Sequence, residues 1–310
     1  MARPARPPTD SAPDPRPDQR PDQRPDPGPD KRPDPPTDSA PDQRPDRGPD
    51  KRPGPRPSAR PLGDRAVDLA NVAGARLLHG LERQVLRTSV VATTPFLPTA
   101  TFDWIPALEG EWRTIRAELD AVLAYRDELP NFQDISIDQA SITDDDGWKT
   151  FFFFAYGFRS DANCRRCPRT AALLEAVPGL TTAFFSILAP GKRIPEHRGP
   201  WRGVLRYHLA LRVPEPPESA GISVGGETAH WREGASLLFD DGYEHHAWND
   251  TDGVRVVLFV DVIRPLRPPM DQVNRALIWA IGRSPFIQDS RRRHEAWERR
   301  FEALRAGSRP

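Results

Sequence analysis

Cysteine is nearly absent: Cys164 and Cys167 are the only two in 310 residues, too few for the disulfide framework of a small secreted fold. No run approaches the roughly 20 consecutive apolar residues that a membrane-crossing helix needs. The N-terminal MARPARPPTDSAPDPRPDQR lacks the apolar core of a secretion signal. These absences lead us to expect a cytoplasmic chain with no transmembrane segment. Nor is there a surplus of charge. The 44 basic and 44 acidic side chains cancel, which removes the general electrostatic reason to bind nucleic acid. No glycine-rich phosphate loop and no Ser-His-Asp arrangement stands out.

What is plentiful is proline, 37 residues in all, 20 of them crowded into residues 1–62. There PDQRPDQRPDPGPDKRPDPP repeats a Pro-Asp-Gln/Lys-Arg unit almost free of apolar side chains. Such a segment cannot bury enough surface to offset chain entropy, so we expect a disordered, extended tail. A four-residue unit without an apolar face is also no solenoid repeat.

Residues 63–130 read as a helical region. Val67, Ala70, Leu77, Leu78, Leu81 and Val85 share one stripe, as do Ile105, Leu108, Trp112, Ile115, Leu119 and Val122. Between them TTPFLPTATFDW reads as a connecting loop. Over 131–266 the pattern changes to short strand-like runs such as WKTFFFFAYGF, TTAFFSILA, GVLRYHLAL, ASLLF, HHAWN and VRVVLFVDV, with one helix, PRTAALLEAV. Many short strands separated by turn signals predict a mainly β fold with flanking helices, a sandwich or barrel of jelly-roll type. Residues 267–310 read as C-terminal helices. Their mixed apolar and basic faces suit packing on the barrel, with peripheral membrane contact as the alternative.

The chemistry lies where strands should be greasy. In IPEHRGPWRGVLRYHLALRVP, alternation puts Arg206 and His208 on one face and Leu205, Tyr207, Leu209 and Leu211 on the other. A cation and an imidazole side by side on a sheet face are costly unless something anionic meets them, so they lie either on a wet surface or along a ligand pocket. His197 precedes a Gly-Pro turn, FDDGYEHHAWN holds Asp240, Asp241, His245 and His246, and Arg255 opens a very apolar strand. Histidine suits transition metals, and the arginine fork suits a carboxylate. Together they suggest a metal and an acidic cosubstrate. Each has a plainer reading too. His230 and His246 read as hydrogen-bonded or surface imidazoles, Asp240 and Asp241 beside Gly242 as a turn, and Arg255 as a strand end in water. NCRRCP reads as two ordinary thiols or a local disulfide, since a zinc site needs a second pair.

Four blocks, FFSILAPGKRIPEHRGP, LRYHLALRVP, W..G..LLFDDGYEHHAWN and RVVLFVDVIRP, give the stretch from about Trp148 to Pro265 a further meaning. It resembles the aspartyl/asparaginyl β-hydroxylases, which are iron(II)- and 2-oxoglutarate-dependent dioxygenases with a double-stranded β-helix (cupin-like) fold. The resemblance implies that His197 and His245 bind Fe(2+), with 2-oxoglutarate and O2 as cosubstrates. It implies that Arg255 pairs with the far carboxylate of 2-oxoglutarate and that Ser186 hydrogen-bonds it. Trp148 falls on the cosubstrate side. Arg206 and His208, with the Tyr207 backbone between them, line the pocket near the metal. Where most such enzymes place a carboxylate after His-X, this chain has Gly199, and water is expected there. A lipid A hydroxylase of the family looks closer to His-Arg-Asp-Pro, so HRGP leans towards the aspartyl branch.

The expected activity is therefore hydroxylation of an aspartyl or asparaginyl β-carbon in a peptide or amino-acid-derived metabolite. One alternative is a lipid acyl-chain hydroxylase of the lipid A type, which predicts membrane association and an apolar channel to the metal. Others are a non-catalytic barrel binding protein, or a zinc or nickel cupin, which would leave Arg255 and Ser186 unexplained. RVPEPPESAGISVGGETAHW is the loop-rich stretch where substrate choice is expected to lie.

Overall fold

Residues 77–136 and 142–307 are described in the computed structural model, with side chains to residue 303. The proline-rich tail lies outside them, as do Val67 and Ala70 of the first expected helix. Two antiparallel sheets result from the short apolar runs. The larger has the order β1 (Phe96–Leu97), β9 (Ser236–Phe239), β6 (Val204–Arg212), β11 (Arg255–Ile263), β4 (Leu180–Leu188), β2 (Trp148–Ala155) and β3 (Phe158–Arg159). The smaller has the order β5 (Arg193–His197), β10 (His245–Asn249), β7 (Ala220–Val224) and β8 (Glu227–His230). From β4 to β11 the chain passes between the sheets, leaving 4-11-6-9 in one and 5-10-7-8 in the other. That winding is a double-stranded β-helix, a closed relative of the jelly roll.

The long strands β2, β4, β6 and β11 of the large sheet are buried on both faces, for different reasons. Its outer face, with Phe151, Phe153, Phe185, Leu209 and Leu258, packs against Ile105 of α2 (Ile105–Gly110), Ile115 and Leu119 of α3 (Trp112–Leu123) and Leu174 of α6 (Pro168–Glu175). Full burial of each such side chain contributes about 1.5–3 kcal/mol. On the inner face, Leu188, Ala210, Phe239 and Val257 meet Ile194, Ile222, Val224 and Ala247 of the small sheet. This inner face carries the site.

Several elements depart from the sequence reading. The first helix is described over residues 77–88 (α1). The loop TTPFLPTATFDW supplies β1, whose Phe96 pairs with Phe239. Pro95 and Pro98 flank it, which an edge strand tolerates. The second expected helix breaks at Glu111 into α2 and α3. A short α4 (Phe132–Ile135) follows, and α5 (Asp161–Arg166) precedes α6. Cys164 and Cys167 are free and buried, and burial pushes the Cys164 thiol up to about 11. They are therefore inert thiols. The stretch read as loop-rich contains the β7–β8 hairpin, turning at Gly225 and Gly226 with φ of 55° and 84°. Two residues with positive φ are what a tight hairpin turn requires. The expected terminal helices are α7 (Met270–Gly282) and α8 (Pro285–Gly307). Trp297 and Phe301 of α8 join the outer core. No described helix is long and apolar enough to cross a membrane.

Candidate active site

Neighbouring strands β5 and β10 bring two histidines together. His245 is the register partner of His197, and their ring centroids lie 4.2 Å apart at 51°. The Nδ1 of His197 is 2.8 Å from the Pro195 carbonyl, and that of His245 is 2.9 Å from the Tyr243 carbonyl. With Nδ1–H donating to a carbonyl, each ring keeps its Nε2 lone pair for a ligand. Burial lowers the pKa of His197 and takes that of His245 down to about 3. Both rings are therefore neutral at ordinary pH, the form that binds metal.

No group of three or more His, Cys, Asp or Glu side chains placed to share a metal occurs among the described residues. The third position is Gly199, and the structure gives a reason for it. A Cβ there would lie 2.1 Å from Asp241 Oδ2. The Asp241 carboxylate fills that space, and it is held by Arg206, 2.8 Å away.

The inner face of the large sheet is ordered in rows. Trp148, Leu188 and Arg255 align across β2, β4 and β11. Next come Thr150, Ser186, Val257 and Ala210, and then Phe152, Phe184, Phe259 and His208. The last row pairs Asp261 with Arg206. The face thus runs from a lone cation, past hydroxyls, to aromatic rings and an ion pair.

The cation is the anomaly. Arg255 is 1% exposed, and its Nε and Nη1 have no hydrogen-bond partner among the described residues. Its guanidinium lies 4.4 Å from the Trp231 ring centroid. Burial pulls its pKa down to about 9, so it stays charged at neutral pH. Around it, Thr150 Oγ1, Trp231 Nε1 and both ring nitrogens of His208 are also buried without partners. Burial, with the nearby Arg255 and Arg206 charges, holds His208 neutral. Trp148 Nε1 donates to Ser186 Oγ at 3.0 Å, which leaves the Ser186 hydroxyl proton to donate onward. Buried polar groups are nearly always paired in native proteins. Unsatisfied donors clustered on one face, opposite two neutral imidazoles, fit a carboxylate ligand that also reaches a metal.

Other expected residues fall differently. Arg206 does face inward, but the anions that meet it are the chain's own. Its Nε and Nη2 lie 2.9 and 3.0 Å from the Asp261 carboxylate, and the same Nη2 lies 2.8 Å from Asp241 Oδ2. Two carboxylates of the chain thus already balance this charge, as none does for Arg255 among the described residues. The Tyr207 side chain belongs to the outer face, where its hydroxyl accepts from Ser236 at 2.7 Å and its ring meets Trp104. Only its main chain runs between Arg206 and His208. Asp240 is no solvent turn: it is buried against Arg264, 2.6 Å away. His230 and His246 lie outside the site, His230 near the Ala220 carbonyl and His246 against Trp248. The sequence reading missed Trp231, Thr150 and Asp261. Only Asp261 left a signal, as a lone carboxylate inside VRVVLFVDV.

A family model described as Aspartyl/Asparaginyl beta-hydroxylase matches residues 109–265. An ornithine lipid ester-linked acyl 2-hydroxylase from Rhizobium tropici is 49% identical over 218 residues, covering 70% of this chain and 78% of that protein. The aspartyl/asparaginyl beta-hydroxylase of Homo sapiens is 31% identical over 179 residues, 56% of this chain but 23% of the human protein. An aspartate beta-hydroxylase domain-containing protein 2 from Rattus norvegicus is 35% identical over 204 residues, 62% of this chain and 57% of that protein. The chain therefore spans most of the first relative and smaller parts of the other two. With the model match running through the whole set of inward-facing residues, this chain belongs to the aspartyl/asparaginyl β-hydroxylase family.

Proposed function

We propose that the chain is an iron(II)- and 2-oxoglutarate-dependent hydroxylase acting on the acyl chain of an amino-acid-containing lipid. The observation that carries the cosubstrate is Arg255, a buried cation with free donors on the same inner sheet face as Ser186 and His208. Iron(II), when bound, supplies the redox chemistry that couples oxidation of a 2-oxo acid by O2 to hydroxylation of a C–H bond. The residues do the rest. His197 and His245 offer two lone pairs whose direction is fixed by their Nδ1 contacts. Arg255 binds the far carboxylate by a charge-assisted pair, and the Trp231 ring holds its plane. Ser186, fixed by Trp148, adds a hydrogen bond. Phe239, Phe259 and Val257 line the space between and exclude water.

The acyl chain as substrate rests on the Rhizobium tropici relative, which is matched over most of its length. It displaces the aspartyl side chain suggested by HRGP. Gly199 has a local cause, the Asp241 carboxylate, and so says little about substrate. The test is succinate release from 2-oxoglutarate with iron(II), comparing acylated ornithine lipids with Asp- and Asn-containing peptides. Stimulation by the lipids supports the reading. Stimulation by peptides alone would restore the aspartyl assignment.

A further inference from the structure

Beyond the aromatic row the inner face continues into a pocket of about 170 Å³ closed over by α8. Its walls are Phe132, Phe152, Phe184 and Phe259 on one side and Phe286 and His294 of α8 on the other. The rings form a continuous apolar surface, with centroids 5.6 Å apart for Phe132–Phe184, 4.5 Å for Phe152–Phe184 and 4.2 Å for Phe184–Phe259. The inner end is the Arg206–Asp261 pair. Arg206 also holds Asp241, which fills the space at Gly199, two residues beyond His197. The pocket therefore ends beside the imidazole pair. Its outer end is Phe286, 37% exposed, and the preceding helix carries Trp279, 60% exposed.

The wall excludes an ionic occupant. Arg206 is matched by Asp241 and Asp261, and Arg291 by Glu295. His294 is 2% exposed with neither ring nitrogen hydrogen-bonded; Nε2 is 3.9 Å from Glu298. A peptide would bring one N–H and one C=O per residue; beside the rings the lining offers only the hydroxyls of Ser136, Tyr156, Thr182 and Ser290 and the His294 ring nitrogens, too few for an extended run of them. A hydrocarbon chain needs no such partners.

We infer that this pocket is the seat of the acyl tail, which lies with its ester-proximal carbons at the Arg206 end beside His197 and its methyl end towards Phe286. This rests on the reading of the chain as an acyl hydroxylase, and it assigns the binding of the tail to the contact between α8 and the inner sheet. A dry cavity of about 150 Å³ admits a benzene, so the pocket takes about six methylenes. Each buried methylene strengthens binding roughly fourfold.

The test is calorimetric titration of the full chain, without iron, with acylcarnitines from butanoyl to dodecanoyl as soluble acyl esters. The wild-type Kd should fall roughly fourfold per methylene over about six methylenes and then level off. Ser290→Trp fills the pocket from α8 and should flatten this dependence to less than about twofold per methylene. The Kd for 2-oxoglutarate with iron(II) under anaerobic conditions should not change. Ala155→Phe, filling it from the sheet, should do the same and serves if the first variant fails to fold. A chain-length dependence that survives both substitutions, or none in the wild type, overturns the inference. Absence of succinate release with any substrate, with chain-length-dependent binding intact, would instead overturn the hydroxylase reading and leave the pocket standing.

Discussion

Replacing Arg255 by methionine should make the ligand-free protein more stable. Arg255 is a fully buried guanidinium with free Nε and Nη1 and no carboxylate beside it among the described residues. A burial that lowers its pKa to about 9 disfavours the charged form by roughly 3–5 kcal/mol. Methionine keeps the contact with the Trp231 ring and removes the charge, so about 1–4 kcal/mol should be recovered. For a domain of this size that is a rise in Tm of about 3–10 °C. The effect of cosubstrate should be the reverse. At about a hundredfold excess over Kd, 2-oxoglutarate should stabilise the iron-loaded wild type by about 2.7 kcal/mol, or about 5–10 °C. The variant should show almost no such shift. Anaerobic scanning calorimetry of both proteins, with and without 2-oxoglutarate, reads both effects. A variant that melts below the wild type and still responds to 2-oxoglutarate would refute the reasoning, because Arg255 would then be satisfied by the fold itself.

Further expectations follow from the neighbouring groups. Gly199→Ala puts a Cβ about where Asp241 Oδ2 now lies, at 2.1 Å, and should cost about 1–3 kcal/mol in urea unfolding. Adding Asp241→Ala should return part of that loss, and strict additivity would count against the contact. Arg206→Met leaves Asp241 and Asp261 buried together and should cost about 3–5 kcal/mol by the same assay; a loss under about 1 kcal/mol would mean the cluster is hydrated. His294 is held at about 4 by burial, so as pH falls below about 6.5 the unfolded chain takes up its proton first. The stability it contributes is complete above that pH and is lost as pH falls towards about 4. His294→Phe should therefore reduce the loss between about pH 7 and about pH 5 by about 1–2 kcal/mol. An unchanged loss would show that His294 is not the titrating group.

Much of the site was legible because a polar residue in a greasy strand is conspicuous. In β6 the alternation alone put Leu205, Tyr207, Leu209 and Leu211 on one face and Arg206 and His208 on the other, as found, with the leucines on the outer core. What met Arg206 was not legible. Its partner Asp261 lies 55 residues away, and only the β6–β11 register, set by tertiary pairing, puts them side by side. Trp231 and Thr150 look ordinary in sequence, and their polar atoms become notable only once burial is known. The β7–β8 hairpin was hidden by the proline-rich approach to it. A strand of two residues such as β1 has no period to detect; β9 makes it a strand by pairing with it.

The central claim is that His197 and His245 hold the iron at which 2-oxoglutarate is consumed. The direct measurement is succinate release under air by the purified full chain with iron(II), ascorbate and 2-oxoglutarate, beside His197→Ala and His245→Ala variants shown by circular dichroism to be folded. The account predicts release by the wild type that requires iron(II) and is lost in both variants. Release at near wild-type rate in either variant, or none from folded, iron-loaded wild type with any substrate, would contradict it.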